Sequence, residues 1–177
     1  MNAEVVCVDS SGNVVSTACK QLAHDYPGML HLAFSVFLLD ERGRLVLQRR
    51  SGHKRLWPLF WSNACCSHPA PGEEARDAVC RRVQEELGAT ANDLRKVTSF
   101  EYQAPFPGLG MERELCEVWL GNVRSDTLHP DAREVDAVAF LTPAQLTQGL
   151  ASTPGLFTPW CSIEWPLLSG ALQPNRG

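Results

Sequence analysis

The stretch NACCSHPAPGEE, residues 63–74, sets two adjacent cysteines and a histidine ahead of a proline turn and an acidic start. Cys65 and Cys66 adjoin, and no cysteine stands at CxxC spacing nearby, so a four-cysteine zinc site and a thioredoxin-like pair both lack support. Free cysteines are most often small, buried, apolar side chains. His68 alone reads as a loop histidine held by a hydrogen bond. Other candidates stand further off. His24 and His31 flank the turn-prone DYPGML, so both can point into one pocket. Metal sites of imidazole and carboxylate need neutral histidines and ionised acids converging from separate segments. Glu112 and Glu114 in MEREL offer such acids, because strand alternation puts positions i and i+2 on one face and Arg113 on the other. The plainer expectation for them is two solvated glutamates. Arg82 and Glu86, four apart, suit an exposed helical salt bridge. Alternatively, Glu86 suits a hard cation that also touches a phosphate.

These residues need elements to hold them. EVVCVD is β-rich and ends at the turn SSGN, and LHLAFSVFLLD, ERGR and LVLQRR together predict a β-hairpin turned at Gly43. GEEARDAVCRRVQEELG predicts a helix with Ala75, Ala78 or Val79, Val83 and Leu87 as its apolar stripe, Glu73 and Glu74 at its start and Gly88 at its stop. KVTSFEYQAPF and MERELCEVWLGNV read as strands joined by PGLG. EVDAVAFL reads as a further strand. TPAQLTQGL reads as a short helix capped by Thr142 with Pro143 in its first turn. The stretch around FTPWCSIEWPLL turns helical after Pro159. Many strands and few helices point to an α+β fold or mixed sheet rather than alternating βαβ units.

Length and composition bound the rest. The 177 residues suit one domain, spanning 1–177, with residues 170–177 expected as a frayed tail. Hydrophobic residues at 44% and charged residues at 20% are ordinary for a soluble globular chain. A net charge of -4 argues against a general nucleic-acid binder but leaves room for a small basic pocket. No apolar run approaches bilayer length, so no membrane partner is expected. The start, MNAEVVCVDSSG, lacks a basic stretch followed by an apolar one, and seven cysteines then read as reduced thiols in a cytoplasm.

The segment from Ser67 to Ala89 resembles the Nudix box, the loop–helix element of hydrolases acting on nucleoside diphosphate derivatives. Glu73, Arg81, Glu85, Glu86 and Gly88 match it, whereas Ser67 stands at the usual Gly and Arg82 at a usual Glu. A box altered in this way is similar to that of type I isopentenyl diphosphate isomerases, which share the fold but not the hydrolysis. LHLAFSVFL, LQRR, WPLFWSNACCSHP, RRVQEELG, EYQAP, ERELC and FTPW all resemble segments of that family, in order, from about residue 4 to about 165. The resemblance implies a Nudix-like mixed β-sheet core flanked by helices. It implies Cys66 as catalytic cysteine, Glu114 as the acid opposite it, and Tyr102 as the phenol assisting Glu114. It implies a divalent-metal site, for Mn²⁺, Mg²⁺ or Zn²⁺, of His24, His31, His68, Glu112 and Glu114. Glu86 is the implied ligand to a second Mg²⁺ held by the substrate diphosphate. Trp160 lines the cation pocket, and Lys20, Arg50, Lys54 and Arg82 bind diphosphate. The implied partner is a small prenyl diphosphate, and the chain a monomer or weak homo-oligomer.

The implied reaction moves a double bond, adding a proton at the terminal alkene carbon and removing one from the second carbon, through a tertiary carbocation. That asks for a well-placed acid shielded from water. An indole face such as Trp160 stabilises a cation without attacking it. Trp57, Trp61 and Phe34 can help exclude water, some of them serving simply as core. On this reading Cys65 is packing and His53 and His129 are surface residues. The rivals are a Nudix hydrolase, a non-catalytic binding module of the same fold, and an isomerase-like enzyme taking another alkenyl diphosphate.

Overall fold

The computed structural model describes residues 3–172. In chain order its elements are β1 (Glu4–Val8), β2 (Val14–Cys19), α1 (Lys20–Ala23), β3 (His31–Leu39), β4 (Leu45–Arg50), β5 (Trp61–Ser62), β6 (Cys65–Ser67), α2 (Ala75–Leu87), β7 (Asn92–Phe106), β8 (Gly110–Asn122), β9 (Val135–Leu141), α3 (Pro143–Ser152) and α4 (Pro159–Leu172). The strands form one mixed sheet around β3. One edge of β3 pairs along its whole length with β8 in parallel, from His31 opposite Glu114 to Leu39 opposite Asn122. Its other edge is shared in turn by β1, β6 and β4, all antiparallel. β7 and β8 form a long antiparallel ribbon, with Tyr102 opposite Glu114.

Alternation along β3 divides the molecule into two layers. Phe34, Val36 and Leu38 face α2, where Ala78, Val79, Val83 and Leu87 complete a core with Cys65. Phe37 and, from β8, Val118 and Leu120 face the opposite side, where Leu146 of α3 and Cys161, Trp165 and Leu168 of α4 cover them. Next to that second core, Ala33, Cys116, Tyr102, Trp57 and Trp160 form a smaller cluster. Two chemistry-bearing segments thus end up on the side covered by α4.

The helix expected after the proline turn is present. It stops at Gly88, whose φ of 64° is left-handed, and a Cβ there would lie 2.5 Å from the His129 carbonyl oxygen. Thr142 caps α3 in a reciprocal box with Gln145. The β3–β4 hairpin is shorter than its sequence suggests. Only Leu38 and Leu39 pair with Val46 and Leu45, because further along β6 pairs with β3 and β5 with β4. Helix α4 runs to Leu172, so the tail expected to fray from residue 170 is helical at its start. The remainder of that tail, 173–177, lies outside the described residues. Among the described residues no helix is long and apolar enough to cross a membrane.

Candidate active site

Three separate features of the fold bring the histidines and acids together. His24 caps the C-terminal end of the short helix α1. The start of β8 locks it there, since the Met111 amide donates to the His24 carbonyl at 2.9 Å. Gly110 permits that approach: a Cβ would sit 2.2 Å from the same oxygen. His31 opens β3 and is in register with Glu114, and His68 follows β6. One ligand atom from each of His24, His31, His68, Glu112 and Glu114 lies within 4.8 Å of all the others. Nδ1 of His24 and Nδ1 of His31 each bond a backbone carbonyl, of Lys20 at 2.6 Å and Met29 at 2.7 Å. With Nδ1–H donating, each ring turns the lone pair of Nε2 inward, the form a metal ligand needs.

The cluster fits a divalent cation on its own chemistry. His31 Nε2 is buried with no hydrogen-bond partner, and an orphaned ligand atom in such a centre is what a cation satisfies. Burial, followed by the charges of Lys20, His31 and His24, drives His68 well below the usual histidine range, so it stays neutral, as a metal ligand must. Burial alone would lower His24 as well, but the Glu112 carboxylate 2.7 Å away raises it. Desolvation would lift Glu114, yet His31, Tyr102 and His24 hold its carboxyl down at about 2. The Tyr102 hydroxyl donates to Glu114 Oε2 at 2.6 Å.

The two cysteines part company because β6 is a strand. Cys65 pairs with Val36 and packs into the α2-side core; Cys66 pairs with Ser35 and faces the other way. The Cys66 thiol donates to Asn63 Oδ1 at 2.8 Å, and its sulfur accepts from the Trp160 indole at 3.0 Å. Ser35 Oγ stands 3.4 Å from it. Desolvation, then the nearby Glu164 carboxyl, pushes this thiol up to about 12, against the bonds from Ser35 and Ser62. Cys66, Glu114, Tyr102 and Trp160 line one cavity of about 330 Å³, a volume suited to a small ligand.

Lys20, Arg50, Lys54 and Arg82 line that same cavity. They differ in how free they are. Arg50 is buried, donates to the carbonyls of Trp57 at 3.1 Å and Leu56 at 3.0 Å, and lies over the Trp160 ring. Lys54 pairs with Glu134 and Arg82 with Glu86 at 2.5 Å. Lys20 reaches solvent, and its ammonium is pushed below the usual lysine value by desolvation and then by Lys54. Glu86 is fully buried behind Arg82, where Gln48 also donates to it at 3.1 Å. The exposed Arg82–Glu86 pair suggested by spacing is therefore a buried one, because α2 turns that face onto the sheet.

Phe34 and Trp61 are not at the cavity: Phe34 packs under α2 and Trp61 against the α3–α4 core. Strand parity sends Phe34 to the face opposite Ala33 and Ser35. Of the expected aromatics only Trp160 lines the cavity; Trp57 packs against Trp160 edge-to-face, ring centroids 5.2 Å apart. His53 and His129 are exposed. Sequence reasoning missed Ser35, Ser62 and Asn63 around the thiol, Glu134 among the cations, and Glu164. Their types are ordinary and only strand register brings them in, so no local signal marks them.

The NUDIX domain model matches residues 29–161. Crystal structures share the fold: one from Deinococcus radiodurans superposes with a TM-score of 0.70 at 21% identity, over 92% of this chain and 97% of that one. A MutT NUDIX hydrolase from Burkholderia pseudomallei gives 0.62 at 16% identity, over 78% and 98%. Closer in sequence are proteins named isopentenyl-diphosphate Delta-isomerase. That of Mycolicibacterium vanbaalenii is 42% identical over 94% of this chain and 92% of its own length. That of Nocardia farcinica is 39% identical over 98% of both. The chain belongs to the Nudix family and, within it, to the isopentenyl-diphosphate Delta-isomerases.

Proposed function

We propose that this protein interconverts isopentenyl diphosphate and dimethylallyl diphosphate by proton transfer at two carbons. The observation that carries the reading is one small cavity lined by a buried thiol, Cys66, and by the Glu114–Tyr102 pair. Its relatives' names point the same way. Cys66 and Glu114 are the two proton-transfer groups, one giving at the terminal carbon and the other taking from the second carbon. Tyr102, pushed well above the ordinary phenol range by burial and then by Glu114, stays protonated and steadies that carboxylate through its hydrogen bond. Trp160 and Trp57 keep water from the carbocation, and the indole face of Trp160 favours a cation.

The divalent cation at His24, His31, His68, Glu112 and Glu114, whether Mn²⁺, Mg²⁺ or Zn²⁺, would tune the acidity of Glu114 and fix its orientation. Glu86 would hold a Mg²⁺ carried by the substrate diphosphate. Lys20, Lys54 and Arg82 receive the diphosphate at the basic end, with Arg50 deeper beside Trp160. Seven free thiols fit a reducing cytoplasm. Incubation with isopentenyl diphosphate in heavy water tests the reading. Deuterium appearing in dimethylallyl diphosphate supports it; no exchange by metal-loaded protein sinks it. Release of phosphate or a nucleoside monophosphate from nucleoside diphosphate derivatives would favour the hydrolase rival instead.

A further inference from the structure

Glu164 has no role in the chemistry described so far. It lies on α4, four residues after Trp160, fully buried, while Ile163 and Leu167 beside it on the helix are exposed. Its Oε2 has no hydrogen-bond partner, and its Oε1 meets only the Cys116 thiol, at 3.6 Å. The groups that face it are the Cys66 thiol from β6, the Cys116 thiol and Glu114 carboxyl from β8, and Cys161 on its own helix, with the Ser35 hydroxyl from β3. None is a cation. A carboxyl so placed costs stability, and an apolar side chain of similar size would suit this core better.

A line of polar atoms leads from Glu164 to the centre of the site. Cys116 Sγ is 3.7 Å from Ser35 Oγ, and Ser35 Oγ is 3.4 Å from Cys66 Sγ. Ser35 reaches Cys66 because β3 and β6 put the two in direct register.

We propose that Glu164 is a positioning residue for Cys66: its carboxyl holds the Cys116 thiol, and Cys116 and Ser35 together line the back of the Cys66 sulfur. This holds the thiol's direction in the cavity and supports the sulfur while its proton is on loan to the substrate. It rests on the isomerase reading above. Burial pushes the Glu164 carboxyl up to about 8, so it keeps its proton at neutral pH. Ionised at higher pH, it sets a negative charge behind the sulfur.

The test measures kcat and KM from pH 6 to 9.5, with melting temperature, for the unsubstituted protein, Glu164→Gln and Glu164→Leu. The unsubstituted protein should lose kcat as pH rises through about 8. Glu164→Gln, whose amide oxygen accepts from Cys116 without ionising, should stay within about twofold at pH 7 and lack that fall. Glu164→Leu should lose about tenfold in kcat with little change in KM, yet melt at a higher temperature. A purely structural residue would not show stability rising as kcat falls. Unchanged kcat in Glu164→Leu, or an alkaline fall kept at the same pH by Glu164→Gln, would overturn the proposal. Should Glu164→Leu not fold, the Glu164→Gln pH profile decides alone. An unsubstituted protein without turnover overturns the isomerase reading and this proposal together, whereas indifferent variants of an active protein overturn only this one.

Discussion

At the Cys66–Glu114 end of the cavity, burial and close neighbours together set the protonation state of each group. The Cys66 thiol is pushed up to about 12, Tyr102 is pushed higher than a free phenol, and Glu114 is held down by the histidines and Tyr102 around it. At the basic end the charges are paired with one another instead: Lys54 with Glu134, and Arg82 with Glu85, Glu86 and Glu134. Lys54 and Arg82 share Glu86 and Glu134 between them. A diphosphate must therefore compete with Glu134 for Lys54 and Arg82, while a cation accompanying it would compensate Glu86. One end of the cavity fixes protons by excluding water; the other exchanges partners. Losses at the first should fall on kcat, and losses at the second on substrate affinity.

The hardest test of that contrast removes the cluster's cation. Chelation, or His68→Ala, should abolish turnover and lower the metal bound per chain, with activity returning to the chelated protein on adding back divalent metal. Full activity and full metal content in His68→Ala would break the scheme. Next, Cys66→Ala should lower kcat by roughly a hundredfold or more while a substrate analogue binds nearly as before. A matching loss of affinity would mean the thiol belongs to binding.

A third prediction concerns stability. The folded value of Glu164 near 8 lies above its ordinary 4.5, so the folded state keeps a proton that the unfolded chain releases between those values. Folding is therefore favoured most below about pH 4.5, and this contribution is lost as pH rises towards 8. At 1.36 kcal/mol per pH unit, Glu164→Leu should gain up to about 3 kcal/mol at pH 7, and less at pH 5, as urea melts at the two pH values would read. An equal gain at both would remove the titration from the account. At the basic end, Lys54→Ala should raise KM by about tenfold with kcat little changed, since a charge-assisted hydrogen bond is worth about 1.5–3 kcal/mol. A loss confined to kcat would erase the distinction between the ends. The smallest effect belongs to Cys65→Ala, a buried thiol on the far face of the sheet. It should cost about 1 kcal/mol of stability, with kcat inside twofold.

Helix α2 was readable because its apolar stripe, its Gly88 stop and its length agree with one another. β6 was not, since three residues carry no period, and its strand state comes from pairing with β3. β2 and α1 escaped for a like reason. Val14–Cys19 exposes most of its side chains and becomes a strand through β1, and the four residues of α1 are too few to show periodicity. Glu134 and Glu164 are glutamates in unremarkable local sequence, and their burial beside cations or thiols follows from which strand and helix pack together.

Residue types, spacing and resemblance in the chain by itself determined that Cys66, His68, the pair Glu112 and Glu114, and the basic residues belong to one chemistry. Covalent sequence carries the chemical groups, and strand alternation carries which neighbours share a face. Tertiary structure alone decided that Phe34 and Trp61 leave the site, that Glu86 is buried, and that Glu164 stands behind the thiol. Those outcomes depend on register between strands far apart in the chain, where a shift of one residue sends every side chain to the other face.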